Sequence, residues 1–492
     1  MTPGGVLPAL VLLPLAGAAI VALVPAAVRR WTGGAFAVAT SAMAVLLAIA
    51  LAASGDGAAA ELALGGWDAP LGITLRADGV SLVFLLLTAV IGLAVSTVAV
   101  ASDAMSGGPR FWPLWLGLWA GLNGVFVSGD LFNMFVMLEL VTLAAVSLVG
   151  LGGRGSAAAA LRYLFVGVVG SLLFLLAVAL VYAETGVLDL LLAADSMPGG
   201  IVLVTVLALT VVGMGAKMAL FPLHSWLPVA HPAAPAAVSA ALSALVIKAA
   251  VFVLWRVWFA VKDDSAAVAV LGIAAGAAGA AAVIWGSVMA LRARRLKRII
   301  AYSTVAQVGY FAMVLDLAGD GSGLGDGAGP GWVGGVTLVL AHGLAKAAMF
   351  LAAGNLALAY GSDRLDGLRG AVSRMPGTVA ALAVAGVSLA GLPPTFGFVA
   401  KWQLLVSAIE AEAWWWAAVL ALGGLLAFGY TAAMIRATFN APGEEAPAPQ
   451  HRTPVALAAV PLVLAIASVV LGVFSSGLIA LIGEYTLIGG GA

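Results

Sequence analysis

Cysteine is absent from the 492 residues of the chain, which excludes disulfides, thiolate zinc sites and cysteine-ligated iron–sulfur clusters. Iron–sulfur electron transfer therefore has no cysteine ligands here. Charge is the second scarcity: charged residues make up 9% of the chain, against roughly 25% in a soluble globular domain. A water-soluble fold is excluded. Lysine plus arginine and aspartate plus glutamate number 22 each, for a formal net charge of zero, so no general basic surface exists for nucleic acid. Histidines number four, dispersed along the chain with no H-x-x-x-H pair and no acidic cluster beside them, so no metal site is expected. No glycine-rich phosphate loop occurs either, and no nucleotide or other cofactor is expected.

Apolar length is what the chain has instead. Hydrophobic residues make up 63% and mean hydropathy is +1.14. Met1 to Pro25 lacks the cationic start of a secretory signal and reads as a retained first span. Runs near 6–27, 34–53, 79–101, 111–128, 130–151, 160–183, 200–228, 235–260, 266–291, 298–316, 331–358, 377–409, 413–436 and 455–483 predict fourteen membrane-spanning helices. The expectation is an all-α polytopic membrane protein divided into 1–110 (helices 1–3), 111–260 (helices 4–8), 261–436 (helices 9–13) and 437–492 (helix 14). Segment 54–78 is the longest stretch outside spans, and its alternation near residue 73 predicts a small outer hairpin.

An even number of spans puts both termini on one side. Loops after odd-numbered spans hold fifteen of the 22 basic residues, while the opposite side holds Arg76, Arg256 and Lys262. The positive-inside rule then places both termini outside. Tryptophans at predicted span ends (Trp112, Trp115, Trp255, Trp258 and Trp414 to Trp416) read as interfacial belts. Small residues in 272–286 read as close helix packing.

Five ionisable side chains fall inside the apolar runs: Glu139, Lys217, Lys248, Lys346 and Lys401. Each opposes insertion by roughly 2.5 to 3.5 kcal/mol on translocon scales. Lys248 is too deep to reach a headgroup, whereas Lys401 lies closer to a span end. Lysine suits a proton carrier, because desolvation favours its neutral form and a nearby carboxylate favours the charged one. Glu139 is the single acidic partner inside a span, and a coupled pair is predicted. His342 and Lys346 are one helical turn apart and so share a face. His224 and His231 flank Trp226-Leu-Pro-Val near the end of the seventh span, where either a capping role or a way in for protons from water fits.

Two spans carry their own breakers. Pro222 follows Lys217 by five residues, and Gly391-Leu-Pro393-Pro394 interrupts the twelfth run shortly before Lys401. Proline removes a backbone donor, and freed carbonyls at membrane depth are tolerated where they line a cavity. Interrupted spans at matching places in two halves point to a transport site. The fourth helix is broken in each of helices 4–8 and 9–13, which predicts two inverted five-helix repeats with broken helices 7 and 12.

These segments, Ser128-Gly-Asp-Leu-Phe-Asn-Met-Phe-Val-Met-Leu-Glu139, Lys217-Met-Ala-Leu-Phe-Pro-Leu-His-Ser-Trp-Leu-Pro228, His231-Pro-Ala-Ala-Pro with Lys248, Lys297-Arg-Ile-Ile-Ala-Tyr-Ser303, His342-Gly-Leu-Ala-Lys346 and Gly391-Leu-Pro-Pro-Thr, carry a family resemblance. Over roughly 78–436 the chain resembles the antiporter-like subunits shared by Mrp-type sodium/proton antiporters and respiratory complex I. Gly-Asp-Leu-Phe-Asn and the chain length look most like the D subunit of Mrp antiporters. Met137, Leu138 and Leu140 around Glu139 are closer to complex I relatives, and Val229 stands where relatives usually carry aspartate. The resemblance implies a secondary transporter subunit in a hetero-oligomeric complex of a prokaryotic plasma membrane, taking protons inward and sodium outward. It also implies that Glu139 modulates Lys217, Lys248 carries the proton onward, and Lys346 with His342 hands it to Lys401. The alternative is the same proton path driven by a redox arm, in complex I or a membrane hydrogenase.

Overall fold

Backbone groups in hydrocarbon must be bonded within the chain, which leaves helices as the element such apolar runs can form. The computed structural model describes residues 2–54, 59–318, 329–439, 449–451 and 453–476. Arg452, the last residues of the fourteenth predicted span and the C-terminus lie outside them.

Twelve helices among the described residues are long and apolar enough to cross a membrane. In chain order the spanning elements begin with α1 (Pro3–Leu23), α2 (Ala26–Ala53) and α3 (Gly79–Ala101). Next come α4 (Phe111–Phe126), α5 (Leu131–Val149) and α6 (Ser156–Thr185). The seventh span is the broken pair α7 (Ile201–Met218) and α8 (Leu227–Ala233). The chain continues through α9 (Ala236–Val261), α10 (Ala266–Arg292), α11 (Leu296–Leu317) and α12 (Pro330–Tyr360). The pair α13 (Pro376–Ala390) and α14 (Phe396–Glu410), then α15 (Trp414–Arg436) and α16 (Val455–Val473), complete the order. The two expected spans outside the twelve are α4, of 16 residues, and the pair α13–α14, of 15 residues each. At 1.5 Å per residue neither α13 nor α14 alone crosses about 30 Å of hydrocarbon.

Burial sorts the helices into centre and rim. The apolar window of α9 is entirely buried and those of α11 and α12 are 94% buried, against 33% in α1 and α2 and 28% in α16. Glycines let the central helices approach: a Cβ on Gly279 of α10 would lie 2.4 Å from the Gly309 carbonyl of α11, and one on Gly286 would lie 2.6 Å from Ala306 N. The small residues of 272–286 therefore seat α10 on α11 backbone to backbone.

The loops segregate to two ends. At one, β1 (Ala60–Ala63) and β2 (Thr74–Ala77) form the expected hairpin, with Glu61 opposite Arg76. Leu75 bridges Ser128 and Asp130 bridges Asp189, so the connections before α3, α5 and α7 meet there. At the other, Arg295 bridges Arg364 and Gln450 N donates to Ala359 O at 2.8 Å. The sequence Ser128-Gly-Asp finds its local reason at the first end. Gly129 N donates to Thr74 O at 2.9 Å, Asp130 caps α5 by accepting from Asn133 N at 2.7 Å, and Asn133 Nδ2 donates to Ser128 Oγ.

Two expectations are corrected. Trp112, Trp115, Trp255, Trp258 and Trp416 are all buried between helices instead of forming a belt. Trp112 fills the space over Gly33, and Trp416 fills that over Gly276 while its Nε1 donates to Asp316 at 2.6 Å. Packing between helices outweighs the interfacial preference at these five; Trp414 and Trp415 do remain exposed. Arg256, expected in a loop, lies inside α9, where it is buried against the Asp78 carboxylate and donates to Ser81 Oγ at 2.9 Å. Asp78 caps α3, so this pair ties α9 to the start of α3.

Candidate functional site

Every sequence-predicted amine is at most 8% exposed: Lys217 at 7%, Lys248 at 1%, Lys346 at 0% and Lys401 at 8%. They form three neighbouring groups along the buried centre.

The first group spans α5, α6 and α7. Lys217 Nζ donates to Glu139 Oε1 at 3.3 Å and to Thr142 Oγ1 at 2.7 Å, and Ser171 Oγ also donates to Glu139 Oε1. Lys217 stands in the last turn of α7, just before Ala219 takes a left-handed conformation (φ 63°) that ends the helix. Pro222 follows in the turn, and Trp226 Nε1 donates at 2.9 Å to the Ala216 carbonyl, which also accepts from Ala219 N at 3.3 Å. The break expected at Pro222 is thus opened at Ala219.

Lys248 and Lys346 belong to the second group, shared by α9, α11 and α12. Lys248 Nζ donates to Ser243 O at 2.7 Å and touches His342 Nδ1. Residues Leu242–Val246 form a π turn within α9. Widening the helix there presents the Ser243 carbonyl to the amine five residues on, a placement common at functional sites. When the amine donates, His342 Nδ1 must accept, which leaves the ring proton on Nε2. His342 Nε2 has no partner among the described residues. One turn further along α12, Lys346 Nζ donates to Ser303 Oγ and, at 3.0 Å, to Ile300 O. Ser243 Oγ and Thr304 Oγ1 share a hydrogen bond of 2.9 Å, which joins α9 to α11.

The third group is built on the second break. Gly391 (φ 81°) ends α13, Pro393 and Pro394 lie in the turn, and α14 starts at Phe396. Lys401 Nζ donates to Leu389 O at 2.8 Å and Ala390 O at 3.4 Å, and lies over the Tyr310 ring at 4.8 Å. Gln307 Nε2 donates to the same Leu389 O at 3.2 Å. Ser303 and Gln307 are one turn apart on α11, so that helix links the Lys346 group to the Lys401 group.

The two remaining candidate histidines separate. His231 is fully buried, stacked on Phe350 at 4.7 Å between centroids, and neither ring nitrogen has a partner among the described residues. His224 sits toward the outside, where Trp285 Nε1 donates to its Nε2 at 3.1 Å. Sequence reasoning assigned no role to Thr142, Ser171, Gln307 or Tyr310. Their one signal is polarity within otherwise apolar helices.

The family model described as NADH:quinone oxidoreductase/Mrp antiporter, TM, matches residues 128–427, which include every member of the three groups. The chain belongs to this family. Among relatives of this NADH:quinone oxidoreductase/Mrp antiporter family, it is 35% identical to the NADH-quinone oxidoreductase N subunit of Desulforudis audaxviator (strain MP104C), over 89% of this chain and 91% of that one. It is 30% identical to the Na(+)/H(+) antiporter D subunit of Bacillus subtilis (strain 168), over 80% of this chain and 78% of that one. Among solved structures, a chain of the Mrp complex from Dietzia sp. DQ12-45-1b superposes with a TM-score of 0.86 at 26% identity, covering 98% of this chain and 97% of that one. The protein is an antiporter-like membrane subunit, and its structural neighbours are multisubunit membrane complexes.

Proposed function

We propose that the chain is the proton-translocating subunit of a multisubunit cation/proton antiporter in a prokaryotic plasma membrane, with both termini outside. Protons move inward along Glu139, Lys217, Lys248, His342, Lys346 and Lys401 while sodium leaves through the complex. His231, buried beside this file, and His224, half-buried at the break after α7, are the residues through which protons join it. Residues 111–260 and 261–436 act as two inverted five-helix repeats, and the paired breaks before Pro222 and at Gly391 support that division.

One observation carries the reading. Among the described residues Lys248, Lys346 and Lys401 make no ion pair, and Lys217 alone meets a carboxylate. Amines that stapled helices together would need anions, because an unpaired buried charge is expensive. These amines instead meet carbonyls, hydroxyls and an imidazole, groups compatible with both the charged and the neutral amine. Unpartnered polar atoms nearby (His342 Nε2, Gln307 Oε1 and Tyr310 Oη) are of the kind that buried water bonds.

The test is Lys248→Ala in the assembled complex, followed as sodium-driven pH change in everted vesicles. Exchange should fall at least tenfold, about 1.4 kcal/mol in the barrier. Normal exchange with intact assembly refutes the role. A second reading, the same path driven by a redox arm, is favoured by the 35% identity to a component of a quinone oxidoreductase. Copurification separates the two: small antiporter subunits support the first and cluster-binding subunits the second.

A further inference from the structure

Away from the buried file, at the end where the connections after α10, α12 and α15 meet, a cavity of about 700 Å³ opens. Arg294, Arg364, Arg369 and Arg436 line it, with Asp366 as the one acidic residue. Asp366 is already engaged, accepting from Arg364 at 2.9 and 3.1 Å. Among the described residues no carboxylate pairs with Arg294 or Arg436. Four guanidinium groups converging around a single lining carboxylate suit a phosphate, which takes their forked donors two at a time.

The rest of the cavity is apolar. Gly429, Ala432 and Ala433 lie on one face of α15 together with Arg436 and form a slot of small residues. Leu291 of α10 closes its side, 3.4 Å from where a Gly429 Cβ would sit. Beyond the slot, Leu425 (67% exposed) and Phe428 (49%) continue the apolar surface up the same span. A soluble phosphate has no use for such a slot, whereas a membrane amphiphile fills both parts. A zwitterionic headgroup brings its own cation into a cluster that is already positive. Basic pockets at the ends of spanning helices commonly select anionic headgroups.

We propose that this cavity binds one anionic phospholipid, with its phosphodiester among the four arginines and an acyl chain in the small-residue slot of α15. Bound there, the lipid braces the start of α11, because Leu365 N donates to Arg294 O at 3.0 Å and Leu296 N donates to Asp363 O at 2.7 Å. The headgroup thereby reaches the helix that carries Ser303 and Gln307.

The test uses the delipidated full chain in detergent and native mass spectrometry, titrated with phosphatidylglycerol, phosphatidylcholine or inorganic phosphate. One phosphatidylglycerol should be retained, with phosphatidylcholine at least about tenfold weaker, a difference of ~1.4 kcal/mol. Equal retention of the two lipids overturns the proposal without any variant being needed. Displacement of phosphatidylglycerol by inorganic phosphate assigns the arginines to a soluble anion and also overturns it. Arg294→Gln with Arg436→Gln should weaken retention about tenfold. Ala433→Leu, which keeps all four arginines but fills the slot, should do the same, and undiminished retention in both variants refutes the site. Binding is read directly, so failure here leaves the proton path untouched.

Discussion

The two broken spans solve one problem with different donors. Where α7 stops, the Ala216 carbonyl is capped by the Trp226 indole together with Ala219 N, and Lys217 is left to bond Glu139 and Thr142. Where α13 stops, Lys401 itself caps the freed Leu389 and Ala390 carbonyls. The first amine is held by a carboxylate and the second by the break. A buried amine can therefore be seated either by charge or by exposed backbone, and the second seat needs no acidic residue.

The largest expected effect is on the second break. A Cβ on Gly397 would lie 1.9 Å from the Ser388 carbonyl, so Gly397→Ala should cost about 3 kcal/mol, as overpacking against backbone does, and lower the melting temperature in detergent. Next, Trp226→Phe removes the indole donor, leaving the Ala216 carbonyl only the 3.3 Å bond from Ala219 N, and should cost about 2 kcal/mol. Lys217→Ala should leave that break's backbone protection from hydrogen exchange unchanged, and lost protection there would erase the contrast. Smaller and opposite in sign are the substitutions at the two left-handed residues. Gly391→Ala should cost about 1 to 2 kcal/mol, with Lys401 Cδ displaced from 2.6 Å. Ala219→Gly should gain about 0.5 kcal/mol, since relief of the left-handed strain exceeds glycine's entropy cost.

The smallest effect concerns Asp130, which caps the helix that carries Glu139. Burial pushes its carboxyl above the ordinary range, against backbone donors that lower it, and Asp189 nearby adds to the rise. The folded form then keeps its proton at pH values where the unfolded form has lost it. Stability should fall as pH rises from the ordinary carboxylate value to the raised one, and stay level above. Asp130→Asn keeps a good cap and should flatten that slope in pH-dependent melting curves. A slope left unchanged would remove Asp130 as its source.

Much of the architecture was legible because hydrocarbon allows so few alternatives. The apolar runs marked the helices, and charged residues inside them stood out as Lys217, Lys248, Lys346 and Lys401. The breaks were visible in Pro222 and in Gly391-Leu-Pro393-Pro394. The π turn at Leu242–Val246 was not visible, because its composition matches the rest of α9 and its geometry arises from packing. Arg256 was misplaced because its partner Asp78 is far away in the chain. The buried tryptophans were misread because a span end facing lipid and one facing another helix look alike until that helix is known. Gln307 and Tyr310 carried too weak a signal to be singled out, since one polar group in a central helix is ordinary.

The Leu389 carbonyl accepts from two donors at once, Lys401 and Gln307. Should the amine swing aside, the amide stays behind and the oxygen is never orphaned. The lysine can thus come and go without the interrupted helix having to rewind or fray, a freedom a single-donor seat would deny it.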